Sequence, residues 1–160
     1  DKIKEFGKPG AQDLIRDGKR DSKPFYGKLN MFLYDPKWKK KLPYYDVFPL
    51  VLPLEMYSDG FLGINMHYLP IPLRIGLLDK LVDYSNNTKF DESTRLVVDY
   101  SKLKSIKLIK PTLHRYLAGH TKSAFRRIDA DEFTIATLLP VQRFKKASEK
   151  EVWKESRSMI

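Results

Sequence analysis

Three extended segments separated by short turns occupy residues 28–69 and constrain the fold of this chain more than any other feature. The third segment, 61–69, alternates apolar side chains on one face, which is the period of a β-strand. Ser58-Asp59-Gly60 precedes it and has the composition of a hairpin turn. Because short turns join antiparallel strands, the segments 28–34, 47–55 and 61–69 predict a three-stranded meander.

Two prolines, Pro49 and Pro53, interrupt the middle segment. Proline has no N–H group to donate to a central strand ladder, so it is confined to edge strands, strand starts and bulges. The middle segment is therefore predicted to be an edge strand or to carry a bulge.

The remaining chain predicts helices around this sheet. From Pro70 an apolar stripe recurs at helical spacing, and residues 95–100 form a strand-like link. A short basic helix over 102–109 capped by Ser101, a helix over 111–127, a buried strand over 133–139 and an amphipathic helix over 141–158 follow. The predicted class is α+β, a small, curved antiparallel sheet (SH3-like or a partial barrel) covered by three or four helices.

The first 24 residues differ in composition from the rest. They contain three glycines, two prolines and interspersed charges, with few apolar anchors. Such a segment gains order by docking and not from a core of its own. We expect an extended arm at 1–24 and a single α+β domain at 25–160.

Positive charge is concentrated in two segments. The formal net charge is +10, and residues 101–128 contain eight basic residues but no Asp or Glu, while four lysines surround Trp38. A basic run without acidic partners binds polyanions or repels itself in solvent. Lysine prevails, and lysine suits contacts to backbone phosphates more than base reading. The candidate nucleic-acid-binding residues are Lys37, Trp38, Lys39, Lys40, Lys41, Lys102, Lys104, Lys107, Lys110, Arg115, Lys122, Arg126 and Arg127.

Two alternatives to nucleic-acid binding stay open at this point. The basic surface is also explained by a solvated face, or by a face that meets an acidic protein, although the concentration of charge in two segments favours nucleic-acid binding. For Trp38, packing against the sheet is favoured over stacking on an exposed base or terminal base pair.

No catalytic, metal or cofactor site is predicted. The chain has no cysteine, phosphate-binding glycine loop or nucleophile motif. His114 and His120 are six residues apart, which does not match the four-residue spacing of a helical zinc pair. A metal-dependent nuclease needs converging carboxylates, and Asp35, Asp46, Glu55 and Asp59 lie near neighbouring strands without an acid-x-Lys motif. No apolar run approaches the roughly 18 residues of a membrane helix, so no membrane partner is expected.

Several long motifs stand out between about residues 25 and 157. They are Met31-Phe32-x-Tyr34-Asp35-Pro36-Lys37, Leu42-Pro43-Tyr44-Tyr45-Asp46-x-Phe48-Pro49-Leu50-Val51, Gly60-Phe61-x-Gly63-Ile64-Asn65-x-His67-Tyr68-Leu69-Pro70, Lys110-Pro111-x-x-x-x-Tyr116-Leu117 with His120, and Leu138-Leu139-Pro140-x-x-x-Phe144-x-x-Ala147-Ser148 followed by Val152-Trp153. Together these motifs resemble one family, the DNA end protector proteins of T4-like and marine tailed phages.

The resemblance implies a non-enzymatic virion protein that binds the ends of linear double-stranded DNA. It would protect the packaged genome termini from host exonuclease, contact phage head or neck proteins, and pass through the host cytoplasm during assembly. The family supplies no catalytic residues to carry over, and the arm lies outside the matching motifs. The main alternative is a structural adaptor of the phage head, neck or baseplate, with a nuclease third.

Overall fold

The computed structural model describes residues 20–85 and 94–160. Its strands are β1 (Arg20–Asp21), β2 (Leu29–Met31), β3 (Tyr45–Asp46), β4 (Leu50–Tyr57), β5 (Gly60–Asn65), β6 (Leu113–Leu117), β7 (Phe125–Ile128) and β8 (Phe144–Lys145). Its α-helices are α1 (Ile71–Ser85), α2 (Tyr100–Leu103), α3 (Phe133–Leu138) and α4 (Glu149–Ser158). Short 3-10 helices occupy Met66–Tyr68, Lys107–Thr112, Ala118–His120 and Ala130–Glu132.

Six strands form one open antiparallel sheet in the order β1-β7-β2-β4-β5-β6, and β3 pairs with β8 in a separate ribbon. The predicted α+β class, with an antiparallel sheet and several helices, is confirmed. β6 is the edge strand next to β5, and all five of its residues pair with β5. This edge carries much of the candidate site described below.

The two faces of the sheet bury different cores. Alternate residues of β4, such as Leu50 and Leu52, point to a large aliphatic core shared with α1, α2 and α3. Val51, between them, points to the opposite face and joins a smaller cluster with Phe32, Tyr34, Phe61, Tyr116 and Phe125. One face is thus covered by helices, and the other carries a mainly aromatic cluster.

The predicted meander is confirmed, since β2, β4 and β5 are consecutive neighbours. Tyr57 pairs with Gly60 across the predicted turn, and the register shifts between Pro53 and Glu55. The bulge prediction is therefore right, whereas the edge position is wrong because β4 lies between β2 and β5. The bulge accommodates the missing N–H of Pro53 inside the sheet. The return strand ends at Asn65, earlier than predicted.

The predicted helix over 111–127 is wrong. This segment contains β6, a 3-10 turn and β7. Leu113 and Leu117 are four residues apart, a spacing that fits both a helix and a strand, and the alternation of Arg115 with His114 and Tyr116 is strand-like. The free edge of β5 decides the outcome because it supplies partners for the main chain of β6.

Other boundaries also differ from the sequence predictions. The apolar run from Phe133 is the short helix α3 and not a strand, an ambiguity inherent in continuous apolar runs. The helix over 102–109 is reduced to α2, and Asp99, not Ser101, caps it. The C-terminal helix begins only after Ser148, which forms a capping box with Glu151. The helix from Pro70 is confirmed as α1.

The arm prediction falls largely on residues 1–19, which lie outside the described residues. Arg20 and Asp21 form β1, which pairs with β7 at the sheet edge. Within the described ranges, no helix has both the length and the apolar character needed to cross a membrane.

Candidate nucleic-acid interface

The lysine turn, defined here as residues 36–42, presents Trp38 to solvent. The Trp38 side chain is 57% exposed, so it is not packed into the sheet. The Nζ atoms of Lys37 and Lys41 lie 5.0 and 5.4 Å from the centre of its ring, within cation–π range. The lysine turn thus presents to solvent a largely exposed indole with two ammonium groups close to its ring.

Five contacts fix the base of the lysine turn. The Asp35 N–H donates to the His120 carbonyl, and His120 Nδ1 lies 3.0 Å from the Asp35 carbonyl oxygen. The Asp35 carboxylate pairs with Lys39 Nζ at 2.9 Å. From the other side, Lys146 Nζ donates to the main-chain oxygens of Lys39 and Leu42. The turn is therefore held between the segments on either side of it.

A pocket of about 490 Å³ opens between the lysine turn and β6. Its lining includes Lys37, Trp38 and Leu42 of the lysine turn and Arg115 and Leu117 of β6. The pocket thus brings parts of the two basic segments together, although they are more than 70 positions apart in the chain.

Aromatic rings form the back of this pocket. Tyr34 and Tyr116 belong to the aromatic cluster, and their ring centres lie 5.0 Å apart. Tyr68 and His114 lie face to face, with centres 4.1 Å apart and planes inclined by 30°. The Tyr34 hydroxyl accepts from the Leu117 N–H at 2.8 Å and links the wall to the edge strand.

The aromatic side chains at the back of the pocket are uncharged at neutral pH. Burial raises the pKa of Tyr34, Tyr68 and Tyr116, so their hydroxyls keep their protons. Burial also lowers the pKa of His114 to about 4. Its Nε2 lies 3.2 Å from the Pro111 carbonyl oxygen, and because a carbonyl only accepts, Nε2 carries the proton of the neutral ring.

The two aspartates at the pocket are paired with cations or imidazole. Asp59 accepts from Arg115 at 2.6 Å, and Arg115 also lies over the Tyr57 ring at 4.2 Å. Asp46 Oδ2 lies 2.8 Å from His67 Nδ1, with both side chains fully buried. Burial alone would raise the pKa of Asp46, but His67 and hydrogen bonds from Asn65 and the main chain outweigh it and hold that pKa below its usual value.

The nominated residues do not share one face. Lys122 adjoins the lysine turn, because its N–H donates to the Leu33 carbonyl and the preceding residue, Thr121, bridges to Tyr34. Seven of the thirteen therefore lie at or beside the pocket: Lys37, Trp38, Lys39, Lys40, Lys41, Arg115 and Lys122.

Four others lie towards the helix-covered face. Lys102, Lys104, Lys107 and Lys110 belong to a segment whose residues Leu103, Ile106 and Ile109 pack into the aliphatic core. Lys107 lines a groove with Lys80 of α1. We call these five residues, Lys80, Lys102, Lys104, Lys107 and Lys110, the helix-side lysines.

The last two nominated residues lie on β7. Arg127 pairs with Asp129 at 2.7 Å, and Arg126 is opposite Arg20 in the β1–β7 ladder.

A buried polar network supports the wall behind Asp46. Arg74 is fully buried and donates to the carbonyls of Leu69, Thr137 and Leu139 and to the side chain of Gln142. Burial lowers the pKa of Arg74 to about 10, which still leaves it charged at neutral pH. The indole N–H of Trp153 donates to the His67 carbonyl at 2.9 Å.

The carboxylates considered for a nuclease do not converge. Asp35 pairs with Lys39, Asp46 with His67 and Asp59 with Arg115, while Glu55 accepts from the Tyr57 hydroxyl. Across residues 20–85 and 94–160, no group of three or more His, Asp or Glu side chains is placed to hold a metal ion.

The sequence analysis missed the pocket and most of its lining. The predicted helix over 111–127 placed His114 and Tyr116 on a helix. The alternation of Leu113, Arg115 and Leu117 with His114 and Tyr116 is compatible with a strand, but it does not exclude a helix over so short a segment.

Comparison with known proteins gives one match. The family model of the phage T4 terminal DNA protecting protein matches residues 5–156. No curated protein and no solved structure is similar enough to be matched with the chain. The match begins at residue 5, so most of the segment set aside as an arm lies inside the family pattern, which corrects the expected limits of 25–157. The chain is therefore a member of the phage T4 terminal DNA protecting protein family.

Proposed function

We propose that this protein binds the ends of linear double-stranded DNA without turnover and shields packaged genome termini from exonuclease. It acts as a component of the virion and is present in the host cytoplasm during assembly. The observation that carries the proposal is the exposed Trp38, flanked by Lys37 and Lys41 at the rim of the pocket. Membership of a family described by protection of terminal DNA supports the same role.

The arrangement suits the end of a duplex. A terminal base pair exposes one aromatic face, and it can stack on the exposed Trp38 ring once the lysines over that ring turn towards the DNA. The flanking lysines then lie close to the terminal phosphates, where each contact releases counterions. None of these contacts reads a base edge, which agrees with protection of ends of any sequence.

Exonuclease digestion of a linear duplex, with and without the protein, tests the proposal. The wild-type protein should slow digestion and should bind the open duplex more tightly than the same sequence closed by a loop at each end. Trp38→Ala should weaken end binding by about 1–3 kcal/mol, the usual contribution of one base–aromatic stack. Trp38→Phe should restore part of the loss.

A charge-matched pair of variants locates the interface. Lys37→Gln with Lys41→Gln removes two charges beside Trp38, and Lys80→Gln with Lys107→Gln removes two on the helix side. The first pair should reduce the slope of log K against log salt by about 0.9 per lysine. An equal or larger effect of the second pair would place the interface among the helix-side lysines and refute the assignment to the lysine turn.

The adaptor role predicts a different outcome. An adaptor that uses its basic face against an acidic protein would bind linear duplex at about 50 mM salt no better than a control protein of equal charge. That result, together with unprotected ends, would exclude the DNA-end function.

A further inference from the structure

The pocket beside Trp38 is large enough for one nucleotide and too small for a duplex. Its volume of about 490 Å³ is in the ordinary range for small-ligand sites, roughly 300–1,000 Å³. The major groove alone of a DNA duplex is about 12 Å wide. A ligand that stacks on Trp38 as part of a duplex therefore leaves the space behind Trp38 unfilled.

The chemistry inside the pocket suits a base. Tyr68 and His114 line the pocket with uncharged rings that pack against each other, and Tyr34 and Tyr116 continue the same wall. Asp46, the buried carboxylate at this wall, is paired with His67. Stacking on aromatic side chains is tolerant of base identity, since every base has a π-face.

The charge at the mouth suits a phosphate. The Nζ atoms of Lys37 and Lys41 lie over the Trp38 ring, and within the described ranges no carboxylate is ion-paired with either of them. Arg115 also lines the pocket, where it is paired with Asp59. Cations at the rim and neutral rings within match a nucleotide whose base enters and whose phosphate stays outside.

We infer that this pocket receives one unpaired nucleotide from the terminus of a DNA strand. The inference rests on the proposed function and deepens it by giving a physical reason for end selectivity. Extruding a base from the interior of a duplex costs a few kcal/mol, and the cost is least for a base that is already single-stranded. Only an end supplies such a base cheaply.

Three forms of one duplex test the inference: closed by a loop at both ends, open and blunt, and open with a one-nucleotide overhang. The overhang should bind about 3- to 40-fold more tightly than the blunt end, because a blunt end must first break a terminal step of ~0.6–2.2 kcal/mol. If the overhang binds no more tightly while the blunt end still binds more tightly than the closed form, the inference fails and the proposed function stands. If all three bind equally, the proposed function itself fails.

A matched pair of substitutions tests the pocket directly. Leu42→Trp fills the space between the lysine turn and β6, and Leu33→Trp adds the same side chain at a position that is 39% exposed and outside the lining. Leu42→Trp should reduce the overhang-to-blunt affinity ratio to near one, whereas Leu33→Trp should keep the wild-type ratio. Thermal unfolding of both variants checks that they are folded. Unchanged preference in a folded Leu42→Trp protein would overturn the inference.

Photocrosslinking of the wild-type protein needs no variant. A 5-iodouracil base placed at the overhang should crosslink to an aromatic residue of the pocket, such as Trp38, Tyr45 or Tyr68, as identified by mass spectrometry. The same base at an internal position should not. Crosslinks from the overhang that fall only on residues outside the pocket would contradict the assignment.

Discussion

Lys146 holds the lysine turn through its side chain, at a cost to its own backbone. Its φ of 73° is left-handed, a conformation that costs a non-glycine residue about 1–2 kcal/mol. Its ammonium donates to the carbonyl oxygens of Lys39 and Leu42. We predict that Lys146→Met loosens the turn and weakens end binding without removing a phosphate contact.

The magnitude follows from these two bonds. A hydrogen bond to a charged group contributes about 1.5–3 kcal/mol when it is shielded from water, and Lys146 is exposed, so screening reduces the pair to about 1–2 kcal/mol. Because the turn must then be ordered on binding, the affinity for a DNA end should fall about 5- to 30-fold, at 1.4 kcal/mol per tenfold.

Lys145→Met is the matched control, since it removes the same charge from the neighbouring residue. Binding to an open duplex over a salt series is the assay. Lys146→Met should lower the affinity at every salt concentration and keep the wild-type salt slope. Lys146→Gly should bind a DNA end as weakly as Lys146→Met. Its free energy of unfolding in urea should fall by less than that of Lys146→Met, because glycine adopts the left-handed backbone without strain.

Two results would refute this reasoning. An equal loss from Lys145→Met would show that only the charge matters. A slope reduced by about 0.9 in Lys146→Met alone would show that the ammonium contacts a phosphate directly.

Three further predictions concern the scaffold behind the pocket. Arg74→Met leaves three main-chain carbonyls without their donor and should lower the free energy of unfolding in urea by about 3 kcal/mol or more; a loss under 1 kcal/mol would contradict it. The pKa of Asp46 is lowered beside His67, so the ionised carboxylate stabilises the folded state, and it does so fully above the unfolded carboxyl pKa of about 3.9. This contribution should disappear as the pH falls below that value. Asp46→Asn should therefore flatten the acid limb of a stability–pH profile. A Cβ at Gly60 would overlap the Tyr116 carbonyl oxygen, so Gly60→Ala should part β5 from β6, lower the melting temperature by the equivalent of about 1–3 kcal/mol and reduce end protection, and an unchanged melting temperature would refute the contact.

Local patterns predicted the elements whose causes are local. The turn at Ser58 and Asp59, the bulge near Pro53 and helix α1 are confirmed, because turn chemistry, a missing N–H and helical periodicity act within a few residues. The lysine turn around Trp38 was identified in the same way. The acid-free run over 101–128, however, predicted one basic surface that contains both Lys102 and Arg115. In the structure Lys102 lies towards the helix-covered face, whereas Arg115 lies on β6.

The class of the protein, its family motifs and its excess of positive charge follow from residue identity and local order. The strand at 113–117 follows from long-range pairing, because the partner that completes its hydrogen bonds, β5, lies about 50 residues earlier. That pairing brings His114 and Tyr116 against Tyr68 and Tyr34 and places Arg115 in the same pocket lining as Trp38. A pocket between segments distant in the chain has no signature in either segment, because it exists only after both have packed against a third.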